Sequence, residues 1–386
     1  MLSRRKFLAA AGGVFVLEQA GDVRVLRAAV AQTADPTAPW RAAPAATHAD
    51  WRVRAFGWAI LAPNPHNRQP WLVRLDGEDG LTLFCDLDRR LPETDPFDRQ
   101  IVLGCGAFLE LLLIAAAHEG YATEITPFPE GDPAPRLDAR AIARVRFVAG
   151  GAQADPAFAA IGIRRTNRNT YAERDVSADL LAQLGAAGLV HGVAAQTTTE
   201  TGLVAKLRDI TWRGHETESL TYRTMKESVD LMRIGKAEVV QWRDGLVLEG
   251  PMMELARMTG MVSHEALLDP KSDAFKMGLD MYRPKAASAR AYAWLVNDHG
   301  GRTSELNAGR AYARLALKAA ELGLAIHPWS QTLQEFPEMR SLYDEVHALI
   351  GAGKRVQMLV RVGYADPVIP APRRGLAAHI LGEGRS

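Results

Sequence analysis

The sequence predicts an α+β fold built as two tandem, degenerate halves, with a helical insertion in the second. Three observations carry this reading. Apolar helical runs closed by glycine and followed by strand-like runs occur early and late in the chain. Two of those helices align at a constant offset of 203 residues, Gly106 with Gly309 and Gly120 with Gly323. Eight of the eleven methionines fall in one stretch between the helices, from Met225 to Met281.

The chain begins with SRRKFL, twin arginines at Arg4 and Arg5 ahead of the apolar run FLAAAGGVFVL, and Ala29-Val30-Ala31 offers small residues for cleavage. This pattern resembles a twin-arginine export signal, so residues 1–31 are expected to address the protein, already folded, to the twin-arginine translocase and a periplasmic or extracytoplasmic location. The apolar run is too short to span a bilayer. Residues 32–48, rich in Ala, Pro and Thr, read as a linker.

The first half is expected over residues 49–160. A helix from Trp51 to Leu61 is stopped by two prolines, and the stretch LAPNPHNRQPW follows. Pro63 and Pro65 fix φ on either side of Asn64, so the loop is stiff. Asn67 and Gln69 each carry a donor and an acceptor, which suits the mixed edge of a flat heteroaromatic ligand; by composition alone the stretch reads rather as an ordinary rigid turn into the strand WLVRL. Strands are expected at 71–75 and 81–86, then the apolar helix 99–119 closed by Gly120, then strands at 123–128 and 144–148.

The second half, 161–376, opens with IRRTNRNTY. Arg164, Arg165, Thr166 and Arg168 gather three guanidiniums and a hydroxyl near an expected helix start, a combination suited to a phosphomonoester, although a pair of arginines is more often a solvated face. An insertion of about 212–284 reads as amphipathic helices whose methionines fit either a lid or structural core. Strand AYAWLV, the second aligned helix, the turn His327-Pro328-Trp329-Ser330-Gln331, a helix at 337–350, strand VQMLVRVGY and the pair Arg373-Arg374 complete this half; residues 377–386 read as a tail. His327 fits a satisfied core histidine as well as any site role, and Trp329 either stacks on a ligand or packs. The offset also pairs Leu112 with Leu315, Ala116 with Ala319 and Arg99 with Arg302, and duplicated halves can pack about a pseudo-twofold.

Composition excludes more than it assigns. At 386 residues, 47% hydrophobic and 24% charged, the chain can bury a large core, and its net charge of +1 gives no reason to propose nucleic acid or a membrane surface as partner. Two cysteines are too few for a disulfide framework, and Cys105 sits on an apolar helix face as a small core residue. HExxH, GxSxG and CxxC are absent, Gly104-Cys105-Gly106 lacks the third glycine of a dinucleotide fingerprint, and Gly351 to Lys354 lacks the spacing of a phosphate loop. No metal site is expected.

The order Ala-Pro-polar-x-x-Asn-x-Gln-Pro-Trp after a helix resembles the nitroreductase family's loop against bound FMN, and IRRT-x-R resembles its Arg-Arg-Ser-x-Arg phosphate segment. That family is typically homodimeric, with FMN at the interface. Here the loop stands in the first half and the phosphate segment in the second, so the resemblance implies a three-layer pseudo-dimer around mixed sheets, a monomer or loose homodimer, with one complete FMN site and one dismantled. It implies FMN contacts for Pro63, Asn64, Pro65, Asn67, Gln69, Arg164, Arg165, Thr166, Arg168, His327, Pro328, Trp329, Gln331, Arg373 and Arg374. The tail departs from the family's usual Lys-x-Arg. The implied activity is electron transfer through FMN from a reduced donor to a nitro, quinone or related acceptor; the alternative, from fused relatives with a lid over the flavin, is FMN sequestration without turnover.

Overall fold

A computed structural model of the chain describes residues 15–19, 22–26, 35–41, 47–298 and 300–381; the twin arginines and the Ala29-Val30-Ala31 segment lie outside these residues. Strands β1 (Phe15–Gln19) and β2 (Asp22–Leu26) pair antiparallel. Asp50 then starts helix α1 (Trp51–Ala59), its carboxylate accepting from the Arg52 N–H at 2.8 Å. The first half continues through β3 (Trp71–Asp76), β4 (Gly80–Cys85), α2 (Arg99–His118), β5 (Tyr121–Pro127), β6 (Ala143–Ala149) and the short α3 (Phe158–Ile161).

The second half repeats that order around its own sheet. It runs α4 (Ala178–Gly188), β7 (Ala194–Thr198), α5 (Thr201–Leu220), α6 (Tyr222–Asp230), β8 (Met232–Ile234), α7 (Gly235–Trp242), β9 (Leu246–Leu248), α8 (Pro251–Met258), α9 (His264–Leu268) and α10 (Asp273–Ala287). Then come β10 (Ala291–Asn297), α11 (Gly301–Glu321), β11 (Ala325–Pro328), α12 (Arg340–Ile350) and β12 (Arg355–Gly363). The first sheet has the order β3-β4-β6-β5 and the second β7-β10-β12-β11, so each half places its third strand at the edge after a long helix. Every pair within these sheets is antiparallel. The mixed character comes from the far end of the chain, where Ile380 bridges Val73 in parallel, with Val73 N–H to His379 O at 2.7 Å and Leu381 N–H to Val73 O at 2.8 Å. Residues expected as a loose tail thus extend the first sheet.

Helices α2 and α11 form the layer between the sheets, and their crossing is reciprocal. A Cβ on Gly106 would stand 2.0 Å from Leu306 O, and one on Gly309 would stand 2.0 Å from Leu103 O. Only glycine permits backbones this close. The aligned arginines mirror one another: Arg99 donates to Gln357 O at 2.8 Å and Leu333 O at 2.7 Å, while Arg302 donates to Pro133 O at 3.1 Å and Pro135 O at 2.7 Å. Among the described residues α2 alone has the length and hydropathy of a membrane span, but 83% of that window is buried inside the fold. Gly309→Ala is expected to cost about 3 kcal/mol of unfolding free energy by urea denaturation, because the clash is with backbone and the helices must separate to relieve it; an unchanged midpoint would show that the crossing tolerates a methyl group.

Strand sequence follows layer position. In β10 every residue of AYAWLVN is buried, since α4 and α11 cover one face of the second sheet and α5 and α12 the other. In β6 burial alternates along ARVRFVA, because the outer face of the first sheet meets solvent. Within the insertion, expected as amphipathic helices, the stretch TYRTMKESVDLMRIGKAEVV is interrupted by β8, which pairs in parallel with β9. The insertion keeps a small core of its own around Val229, Ile234, Leu267 and Ala274.

Candidate functional site

The loop after α1 is held in a strained shape. His66, Asn67 and Gln69 have φ of +45°, +51° and +51°, in the left-handed region that side chains with a Cβ rarely occupy. Asn64 closes the loop on itself, donating to Ala62 O at 3.1 Å and accepting from the Gln69 N–H at 2.7 Å.

That loop, the arginine segment and the tail meet at one cavity of about 290 Å³. Pro63, Asn64 and Asn67 line one side, Arg164, Arg165, Thr166 and Arg168 another, and Arg373 a third. Residues outside the sequence reading of the site join them, among them Trp40 from the expected linker, Gly245, Val247 and Glu249 from the insertion, and the stretch 368–371 before the tail arginines. Pro65, Gln69, His327, Pro328, Trp329, Gln331 and Arg374 do not line it.

The arginine segment is not at a helix start, which corrects the expectation. Residues 162–177 run without helix, and α4 begins only at Ala178, because Asn167 ties the segment to the second sheet through its N–H to Ile326 O at 2.9 Å and its amide to Asp366 O at 2.8 Å. Side chains rather than helix N–H groups must therefore supply the donors.

Arg164 and Arg373 are buried, at 3% and 2% exposure, and Arg165 is half-buried. None of these or Arg168 makes an ion pair among the described residues, and Glu249, the one carboxylate lining the cavity, reaches none of them. Burying an unpaired cation costs several kcal/mol, so such a cluster persists where an anion is to be bound. Burial holds the Arg164 guanidinium down to about 10, and burial with the Arg164 and Arg165 charges holds Arg373 well below its ordinary value. Arg373 has spent its donors on Ile60 O, Leu61 O, Ala62 O, Pro372 O and Asn67 Oδ1. It contributes charge and fixes the loop, whereas Arg164 keeps a buried Nε with no partner.

Two further buried polar groups that sequence reasoning missed lie near these arginines without lining the cavity. The Tyr312 hydroxyl of α11 is buried without a partner, and burial pushes it up to about 12 against the nearby Arg164 and Arg168 charges. His66 Nδ1 is likewise unpartnered, and burial, Arg168 and Arg68 hold this imidazole down to about 4, neutral at pH 7.

The remaining expected residues lie away from the cavity. Gln69 is fully buried, its amide donating to Arg243 O at 2.8 Å and accepting from the Arg374 N–H at 2.8 Å. Arg374 donates onward to Gln69 O at 2.8 Å, so it braces the loop from behind. His327 accepts from Arg361 Nε at 3.2 Å, and burial holds it well below its usual value, so it is a neutral core histidine. Trp329 packs in a cluster with Trp212 and the insertion residue Tyr282, its indole N–H unpartnered like the Gln331 amide oxygen.

The insertion covers one side of the cavity and is stitched down. Asp244, 2% exposed, accepts from Arg233 of the insertion at 2.8 Å and from Arg89 of the first half at 2.7 Å, with Arg68 at 3.5 Å. Beside it the Gly245 N–H donates to Asn67 O at 3.3 Å.

The counterpart loop of the second half, between α4 and β7, differs in kind. There Glu110 of α2 is fully paired, with Arg310 at 2.8 Å, Arg314 at 2.5 Å and His191 of the loop at 3.3 Å. Burial alone would raise this carboxyl, but His191, Arg310 and Arg314 outweigh it and hold it down to about 2. These charges are satisfied within the chain, in contrast to the arginines of the first cavity.

No protein-family model matches the chain. A Mycobacterium tuberculosis H37Rv protein provisionally named an NAD(P)H nitroreductase is 30% identical over 325 residues, 83% of this chain and 88% of the relative. A second from that strain, named in the same way and called acg, is 30% identical over 334 residues, 82% and 91% of the two chains. Among solved structures, the FMN-dependent nitroreductase NfnB of Mycobacterium smegmatis in complex with NADPH aligns with a TM-score of 0.35 and 18% identity, covering 56% of this chain and 92% of that one.

Proposed function

The chain belongs to the NAD(P)H nitroreductase family, and from that premise we propose that it is an FMN-dependent oxidoreductase whose single flavin lies between its two halves. The observation that carries the reading is the meeting of an uncompensated arginine cluster with the rigid Asn64–Asn67 loop at one cavity. FMN suits these residues: its phosphate monoester supplies the anion that Arg164, Arg165 and Arg168 lack, with the Thr166 hydroxyl as a further donor. When bound, the flavin supplies hydride and electron transfer, which no side chain here can perform. The protein's part is to hold it, orient it and keep water away. Among the described residues that line the cavity, Glu249 is the one acid and no histidine is present, which fits a site in which proton transfer is not the protein's task. The reciprocal α2–α11 crossing supports the view that one chain supplies both faces that a dimer would otherwise provide.

A second reading has its own support. Val247 and Glu249 lie against the cavity and Asp244 fixes them there, an arrangement suited to sequestering flavin without turnover. Protein purified with its ligand should show the visible bands of oxidised flavin. Anaerobic NADPH followed by a nitroaromatic or quinone acceptor then separates the readings. Turnover supports the oxidoreductase; bleaching by dithionite alone, with no acceptor reduced, supports storage. A colourless protein that binds no added FMN would end both. We also infer export by the twin-arginine pathway from SRRKFL, which Arg4→Lys with Arg5→Lys should block in a fractionation assay.

A further inference from the structure

Residues 35–41 do not behave as a linker. Trp40 is 7% exposed, its indole N–H donates to Ala371 O at 2.7 Å, and the Arg373 N–H donates to Pro36 O at 3.0 Å. The segment is folded on itself: Asp35 accepts from the Thr37 N–H at 2.8 Å and the Thr37 hydroxyl at 2.7 Å, pairs with Arg41, and leads into a 3-10 turn over Ala38–Trp40. The Trp40 ring is surrounded by cations, with the guanidinium carbons of Arg165, Arg373 and Arg164 at 4.4, 4.9 and 5.4 Å from its centroid.

An indole stabilises a guanidinium in a different way from a carboxylate. A carboxylate binds the N–H edge and consumes the donors, whereas an aromatic face attracts the charge through its π electrons and leaves that edge unspent. Three like charges can then be held together in a desolvated place while Arg164 Nε remains unpartnered. Trp40 also lines the cavity those donors serve.

We propose that residues 35–41 form a clasp that completes the cofactor site, with Trp40 as a positioning residue that holds Arg164 and Arg165 in register for a phosphate group, beside the charge of Arg373. The identity of the ligand rests on the FMN reading above; the clasp rests on the geometry of Trp40. It makes the segment just before the first helix part of the site.

The test uses the full chain stripped of ligand, with Trp40→Leu and Trp40→Phe, and three probes: FMN, riboflavin and inorganic pyrophosphate. Trp40→Leu should weaken FMN and pyrophosphate together by about tenfold to thirtyfold, leave riboflavin within about twofold, and be largely rescued in Trp40→Phe, which keeps an aromatic face. Equal binding of both anions by Trp40→Leu and the parent would overturn the clasp. So would an equal loss of riboflavin and FMN, which would mark Trp40 as merely structural. If the parent binds pyrophosphate but not FMN, the flavin reading fails, and the clasp stands or falls on the pyrophosphate difference alone.

Discussion

Replacing Arg164 and Arg165 together by alanine is expected to leave a protein that no longer retains FMN through purification. Each guanidinium offers a charge-assisted hydrogen bond worth about 1.5–3 kcal/mol, so the pair accounts for about 3–6 kcal/mol, a loss of roughly a hundredfold to ten-thousandfold in affinity. Riboflavin, which lacks the phosphate, should bind the double variant as it binds the parent, and changing the exposed pair Arg144 and Arg146 to alanine should alter neither. The stability of the ligand-free protein separates a binding role from a structural one. Neither Arg164 nor Arg165 has a carboxylate partner, only carbonyl contacts and the Trp40 face, so removing two costly cations should leave the ligand-free fold as stable as before or more so. Unchanged yellow colour in the double variant, or a large fall in ligand-free stability, would count against the phosphate assignment.

Asp244→Ala is expected to release the insertion from the first half. Asp244 is, among the described residues, the only carboxylate that pairs with Arg68 and Arg233, and its removal leaves these two buried guanidiniums without a counter-charge while Arg89 keeps Asp86 at 3.1 Å, a change that costs about 3–5 kcal/mol where such pairs are broken. The insertion keeps its own small core, so the effect should be local: faster amide exchange and protease cleavage within 222–287, and FMN escape on dilution faster by roughly a hundredfold or more. Full protection of that region in the variant would show that the remaining contacts, such as Glu227 accepting from the Glu93 and Thr94 N–H groups at 3.0 and 2.9 Å, hold the insertion unaided.

Much of the architecture was legible because it rests on local patterns. The apolar run ended by Gly120 places α2 within a residue or so of its limits, and the offset of 203 anticipates the pairs Gly106 with Gly309 and Arg99 with Arg302 that the structure sets in mirrored contacts. Other elements were misread for identifiable reasons. Trp40 lies among Ala, Pro and Thr that signal a linker, and its burial depends on Ala371, more than three hundred residues away. The helix expected at the arginine segment is displaced by Asn167, whose partners Ile326 and Asp366 belong to the other end of the half. Gln69 has the amide that a flat ligand would want, but Arg243 and Arg374 take it first.

By itself the sequence determined the chemical inventory: a proline-stiffened corner, a cluster of guanidiniums, two helices with glycine at matching positions, and a methionine-rich insertion. Only the tertiary structure decided how that inventory is used. It turned Arg373 into a brace by occupying all its donors with carbonyl and amide oxygens, left Arg164 with an unpartnered donor, brought an indole from the chain's beginning against both, and closed one side with a strand pinned through Asp244. Residue type and local spacing are written in neighbouring positions, but whether a polar group is spent or free depends on which distant backbone packs beside it.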